Sequence, residues 1–165
     1  MKNFKKILVV GIIVGSAGFS MNALGAQLTE QQVKDIVTKE VPNGQITKFE
    51  LDNEHGKLVY EIEMMDGNIE KEFDIDAETG AILKSKQEQK ANPIGNVKIS
   101  YEQARDIALK QSNNGKFKEV KLKNKNGSPF YKVELLEGSV EREFFIDANT
   151  GELLKKNIFG KVIKM

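Results

Sequence analysis

The chain has no cysteine, no tryptophan, one histidine and three prolines among its 165 residues. Without cysteine there is no disulfide, no thiolate metal site and no cysteine for a lipid anchor. The single imidazole, His55, sits in Asn53-Glu54-His55-Gly56, which reads as a hairpin loop. One loop histidine supplies neither a Ser–His–Asp triad nor an HExxH zinc site. No glycine-rich loop of the mature chain follows a strand and opens a helix, so a phosphate cradle is not expected. Charge of one sign is not in excess: the formal net charge is +1. That balance gives no polybasic footprint for nucleic acid. The sequence therefore assigns no catalytic, cofactor-binding or metal-binding residue, no small-molecule substrate and no nucleic acid.

Long apolar runs are also missing, apart from the first residues, MKNFKKILVVGIIVGSAGFSMNALGA. Lys2, Lys5 and Lys6 precede a short apolar stretch from Ile7 to Val14, and Ala23-Leu24-Gly25 is a small-x-small boundary. This is the pattern of a secretory signal peptide over residues 1–26. The competing reading is an uncleaved N-terminal anchor, because no charge lies between Ile7 and Leu28. Either way the remainder is expected to be secreted or associated with the cell envelope. Removing three lysines brings the mature chain to a net charge of −2.

What is present is a repeat. Shifted by 71 positions, residues 28–84 align with residues 99–155 without a gap, with 22 of 57 positions identical. FDIDAETGAILK, from Phe73, returns as FFIDANTGELLK, from Phe144. Each copy opens with a capping box, Thr29-Glu30-Gln31-Gln32 or Ser100-Tyr101-Glu102-Gln103. Apolar residues follow at helical spacing: Val33, Ile36, Val37 and Val41, then Ala104, Ile107 and Ala108. Asn43-Gly44 and Asn114-Gly115 are expected to stop the helices through a left-handed glycine.

Three alternating runs come next, with Phe49 and Leu51, then Tyr60, Ile62 and Met64, then Ile69, Phe73 and Ile75 on one side. Period two with one apolar face predicts antiparallel strands covered on one side. Ile82-Leu83 and Leu153-Leu154 would extend or edge the sheet. The expected fold class is α+β, two repeated modules of one helix on a small antiparallel sheet. The expected divisions are a leader at 1–26, modules at 27–84 and 99–155, a polar linker at 85–98 and a tail at 156–165.

The repeated acidic loop has a second reading. Asp74, Asp76 and Glu78 resemble the start of an EF-hand loop. That loop needs Gly at position six and a bidentate Glu at twelve. Here Gly80 falls at seven, Ser85 at twelve, and Phe145 replaces the first ligand in the second copy. A tight turn capped by Asp76 or Asp147, with Gly80 or Gly151 at positive φ, fits better.

The capped helix, the strands YEIEM and YKVEL, the DG-type hairpin and above all IDAETG and IDANTG together resemble the PepSY domain, twice over. The resemblance covers nearly all of the mature chain. PepSY domains occur in propeptides of secreted thermolysin-type metalloproteases and in bacterial envelope proteins, so it implies a non-enzymatic partner-binding module that modulates or inhibits a peptidase. The family has no accepted catalytic motif, so no functional residue carries over, and no protease follows the modules here.

Two features stand out from the repeat itself. Module one carries Glu50, Asp52 and Glu54 where module two carries Lys121, Lys123 and Lys125. With 6 basic and 14 acidic residues, module one has a net charge of −8; with 10 and 9, module two has +1. The charge swap marks either two solvated faces or an electrostatic interface, within the chain, between chains, or with an anionic wall polymer for the lysine strand. The second feature is aromatic. Two-residue turns at Asp66-Gly67 and Glu137-Gly138 would set Val59 opposite Asp74 and Phe130 opposite Phe145. The two Phe rings would then project from the polar face, unless Ile158, Phe159, Val162 and Ile163 cover them. The candidate partner surface is Phe130, Phe145, Lys121, Lys123 and Lys125. A cell-envelope-binding or sensory role through the lysine strand is the alternative function. Finally, Lys71 and Arg142 fall on the apolar side of their strands, where either Glu40 and Gln111 meet them or both cations snorkel past the sheet edge.

N-terminal sequencing of the exported protein is expected to begin after Gly25 or Ala26. An intact Met1 in the membrane fraction would establish the anchor instead.

Overall fold

The computed structural model describes residues 27–159. The leader, Val162 and Ile163 lie outside the described residues. The elements in chain order are α1 (Glu30–Glu40), β1 (Gln45–Glu54), β2 (Lys57–Asp66), β3 (Ile69–Asp76), β4 (Ile82–Gln89), α2 (Tyr101–Lys110), β5 (Lys116–Lys125), β6 (Ser128–Glu137), β7 (Val140–Asp147) and β8 (Leu153–Phe159). Among the described residues two compact units form. The first holds residues 27–44 and 52–93; the second holds 45–51 and 94–159. Each is α+β, one helix with antiparallel strands.

In the first unit the strand order is β4-β3-β2. Thr29 caps α1 as the sequence predicts: its Oγ1 accepts from the Gln32 N–H at 3.4 Å, and Gln32 Oε1 accepts from the Thr29 N–H at 2.9 Å. Val33 and Val37 are fully buried. Gly44 is not at positive φ. A Cβ there would lie 2.6 Å from Val41 Cγ1 and 3.0 Å from Met64 Cε, so the glycine answers a close approach rather than a left-handed cap.

The second unit repeats the plan. Ser100 and Gln103 form the same capping box, and α2 lies on β5 and β6. Here Asn114, at φ 57°, takes the left-handed position, while Gly115 is again a close approach, to Ser112 and Leu135. The unit also holds more than its own repeat. Residues 45–51 of β1 belong to it, with Lys48, Phe49 and Glu50 opposite Lys121, Val120 and Glu119 of β5. Phe49 is 1% exposed and stacks on Tyr101, the first residue of α2, at 5.4 Å between centroids and 7° between planes. Phe117 flanks it at 6.4 Å. The unit of repetition and the unit of packing therefore differ.

The same knot of bonds closes both units. In the first, the buried Ala77 donates its N–H to the Leu58 carbonyl, and its own carbonyl accepts from Leu28 N at 2.7 Å; the Tyr60 hydroxyl donates to the Leu28 carbonyl at 2.6 Å. In the second, Ala148 bonds to the Pro129 carbonyl and Ile99 N, and the Tyr131 hydroxyl donates to the Ile99 carbonyl at 2.9 Å.

Three further expectations need correction. The hairpin loops are Gly67-Asn68 and Gly138-Ser139, with Asp66 paired to Ile69 and Glu137 to Val140. Glycine at φ 59° or 62° opens each loop, as a two-residue turn led by glycine requires. Every pairing moves by two residues: Val59 faces Asp76, Phe130 faces Asp147, and Phe145 faces Lys132. Second, the strands outrun the expected modules. β4 continues through Ser85–Gln89 of the expected linker, and β8 through Phe159 of the expected tail. Lys84 and Lys90 hold the polar part of β4, the one to Asp74 and Glu72 at 2.7 and 3.1 Å, the other to Glu70 at 2.6 Å. Third, Glu40 is exposed and makes no ion pair with Lys71, which lies opposite Met64. Arg142 pairs instead with Glu137, near the hairpin end of its own strand pair. Glu40 closes the last turn of α1, where its side chain reaches water at less cost than the sheet.

Phe49→Ala is expected to destabilise the second unit by about 3–5 kcal/mol, with loss of its aromatic stack on Tyr101. Urea unfolding of residues 27–165 measures this. A loss below about 1 kcal/mol would remove residues 45–51 from the second unit's core.

Candidate functional site

The five residues singled out in the sequence come together on the polar face of the second unit. Period-two alternation puts Lys121, Lys123 and Lys125 on one face of β5. Lys123 lies directly opposite Phe130, and Lys121 opposite Lys132, which in turn faces Phe145. Phe130 and Phe145 are thus diagonal neighbours across β6 and β7, and diagonal positions remain within reach of aromatic side chains. Their ring centroids are 6.0 Å apart and their planes tilted by 42°. Both rings, and Lys123, are partly exposed; Lys125 is exposed. Among the described residues no acid is paired with Lys123 or Lys125.

β8 pairs Lys155 with Phe145 and Ile158 with Arg142. Both edge strands bulge at equivalent leucines, Leu83 and Leu154, which are 55% and 54% exposed. Bulges of this kind twist a sheet edge away from further pairing.

Beside the lysines runs a row of acids that alternation alone did not single out. Glu50, Glu119, Glu134 and Glu143 stand opposite one another across β1, β5, β6 and β7. The next row is Lys48, Lys121, Lys132 and Phe145. Like charges directly opposite repel, and the offset rows answer this by pairing diagonally. Lys132 contacts Glu134, and lies 3.5 Å from Glu143 and 3.7 Å from Glu119. Lys118, at a register shift in β5, reaches Glu134 at 3.2 Å and Glu141 at 3.4 Å. Lys48 reaches Glu50 at 2.8 Å.

The two central glutamates diverge. Burial pushes the Glu134 carboxyl up, but hydrogen bonds from Lys132 and its other neighbours outweigh burial and hold it well below the usual carboxylate range. Glu119 is pushed up by burial, then by Glu50 and Glu134, more than Lys132 and Lys48 pull it down. A register-aware count of cross-strand neighbours would have revealed the row. Strand alternation shows only that such residues face away from the helix.

The repeated acidic loop is a turn. Asp76 Oδ1 accepts from Glu78 N at 3.0 Å and Thr79 N at 2.8 Å; Asp147 Oδ1 accepts from Asn149 N and Thr150 N, both at 2.8 Å. Gly80 and Gly151 sit at φ 74° and 76°. Desolvation lifts the Asp76 carboxyl, and the N–H donors outweigh it, leaving the pKa below its ordinary value. His55 occupies the left-handed position of an exposed hairpin turn at φ 53°, where Asn126 stands at 55° in the second unit. Both are turn residues.

With this geometry in hand, the chain can be set beside known proteins. The family "Peptidase propeptide and YPEB domain", PepSY, matches residues 27–86 and again residues 98–157. The chain belongs to the PepSY family. Protein YkoJ of Bacillus subtilis (strain 168) is 31% identical over 171 residues, which span 93% of this chain and 98% of YkoJ. Among solved structures, that of the candidate lipoprotein CD1622 of Clostridium difficile 630 superposes with a TM-score of 0.51 at 24% identity, covering 83% of this chain and 97% of that one. That likeness bears on the fold.

Glu134→Gln is expected to destabilise the protein by about 1.5–3 kcal/mol at pH 7, by leaving Lys132 and Lys118 short of a charged acceptor. Because Glu134 is lowered in the folded state, its stabilisation is present above the unfolded carboxylate pKa and lost as pH falls through the folded one. Glu119 is raised, so its ionisation costs stability as pH rises, and Glu119→Gln is expected to be neutral or stabilising at pH 7. Urea midpoints of both variants between pH 3 and pH 7 check this. Equal effects of the two substitutions would contradict it.

Proposed function

We propose that this PepSY protein acts outside the cytoplasm as a non-catalytic binding module, engaging a partner protein through the Phe130–Phe145 face and modulating a peptidase. The carrying observation is the pair of partly exposed rings beside Lys123 and Lys125. Aromatic side chains with a polar surround are the usual anchors of protein interfaces. The family description, with its reference to peptidase propeptides, supplies the peptidase part of the reading. Among the described residues no helix is long and apolar enough to cross a membrane. The extracytoplasmic placement rests on the charged, apolar, small-residue pattern at the N-terminus.

Lys123 and Lys125, which pair with no acid among the described residues, also favour a second reading, retention on an anionic wall polymer. Salt discriminates the two. A polymer held by exposed charge is released as added salt shortens the Debye length, whereas an interface anchored on two rings resists it.

The test is capture on immobilised residues 27–165 from the secreted and wall fractions of the source cells. Wild type is expected to retain a peptidase and lower its activity. Phe130→Ser with Phe145→Ser is expected to reduce capture by about tenfold or more, with an unchanged far-UV circular dichroism spectrum. Undiminished capture by that variant, or polymer retained in place of protein, would reject the reading.

A further inference from the structure

We infer that the Phe130–Phe145 face takes an extended, acidic polypeptide segment that carries acids at alternate positions and one large apolar side chain at the next alternate position. This rests on the binding role proposed above and names the chemistry of the partner.

The cations are arranged for it. Lys121, Lys123 and Lys125 alternate along β5, so neighbouring positions repeat at about 6.6–6.8 Å. An extended peptide presents its alternate side chains at the same repeat. Lys48, Lys118 and Lys132 are already engaged by Glu50, Glu134 and their neighbours. Among the described residues Lys123 and Lys125 are not, and there their charge is available to a ligand. Lys123 lies directly opposite Phe130, which places an apolar anchor one strand away from the acids' positions.

The rings and the glutamates narrow the choice. Planes tilted by 42° offer two faces to a single side chain rather than one flat platform for a sugar ring. The row Glu119, Glu134 and Glu143 stands immediately beyond Lys132 and Phe145. An unbroken polyanion crossing the sheet would meet that row and be repelled, whereas a segment with its acids confined to the Lys123–Lys125 end of β5 would not. Charge complementarity thus favours a peptide over a wall polyphosphate.

The probe is a fluorescein-labelled peptide with an Asp-Thr-Asp-Thr-Leu core, followed by anisotropy against residues 27–165 at low and physiological salt. Parallel arms use the same peptide with Lys in place of Asp, and polyglycerol phosphate. The acidic peptide is expected to bind and the basic one not. Lys123→Glu with Lys125→Glu should weaken binding by about tenfold or more, and Phe130→Ser with Phe145→Ser by a similar factor. Lys123→Gln with Lys125→Gln gives a milder surface change should either variant misfold, and is expected to weaken binding in the same direction. Failure of the acidic peptide to bind, equal binding of the basic one, indifference to the lysine changes, or binding of polyglycerol phosphate at the rings would overturn the inference. Capture of a partner through Phe130 and Phe145, with no acidic-peptide binding, would reject the inference and leave the binding role standing. Loss of both would reject both.

Discussion

Each unit depends on one small knot of hydrogen bonds around a buried alanine. Ala77 and Ala148 use both backbone groups at once, giving the N–H to the start of the tyrosine strand and the carbonyl to the residue before the helix cap. Tyr60 and Tyr131 then reach from that strand to the carbonyl of the same residue, Leu28 or Ile99. Helix start, second strand and the turn after the third strand are therefore joined at one point. A buried backbone group left unpaired costs far more than a made bond gains. The alanine must be small because it has no exposure at all. The aspartate before it and the glycine three residues after it shape the turn that presents its backbone. The recurrence of IDAxTG follows from this geometry rather than from ion chemistry.

The knot also explains why the two copies can differ elsewhere. It secures the helix face of each sheet and leaves the opposite face free to vary. In the second unit that face is organised by charge, with a glutamate row offset from a lysine row. Cross-strand neighbours in a row repel, and neighbours along a strand attract. Lys132 sits where three of the glutamates converge, and Glu134 is 6% exposed at the centre. Partial burial strengthens every member of such a network, including the repulsion between Glu119 and its neighbours. The opposed shifts of Glu119 and Glu134 are the two sides of that arrangement.

Much of the fold was legible in the sequence, where a local rule had no competitor. The capping boxes at Thr29 and Ser100, the buried faces of both helices, the turns at Gly80 and Gly151 and the duplicated plan all follow from residues close together in the chain. The misplaced features were set by tertiary geometry. Asp-Gly was read as the loop pair, although the glycine at positive φ comes first, and this moved the register by two residues. Because the shift was even, Phe130 and Phe145 stayed on the same face, and their pairing survived in diagonal form. Glu40 lies close to the apolar stripe by angle alone, but the last helical turn offers it water. The sharing of β1 left no local trace, because a repeat records ancestry and Phe49 packs where Tyr101 and Phe117 happen to receive it.

The candidate face exists in one module because several positions changed together. Where the second unit has Phe130 and Phe145, the first has Val59, 2% exposed, and Asp74, bonded to Lys84 at 2.7 Å. Where the second has Lys123 and Lys125, the first has Asp52 and Glu54. Any one of these changes alone would be costly or idle. An exposed phenylalanine beside Asp74 would meet a carboxylate already committed to Lys84. Unpaired lysines beside Val59 would have no apolar anchor to complement. Together they turn a self-paired polar face into one where Lys123 and Lys125, with no acid partner among the described residues, stand beside an apolar pair. The scaffold permits this because its helix-side core and its backbone knot do not involve that face. Binding chemistry and folding chemistry are carried by opposite sides of the same strands, and alternation with period two keeps them separate.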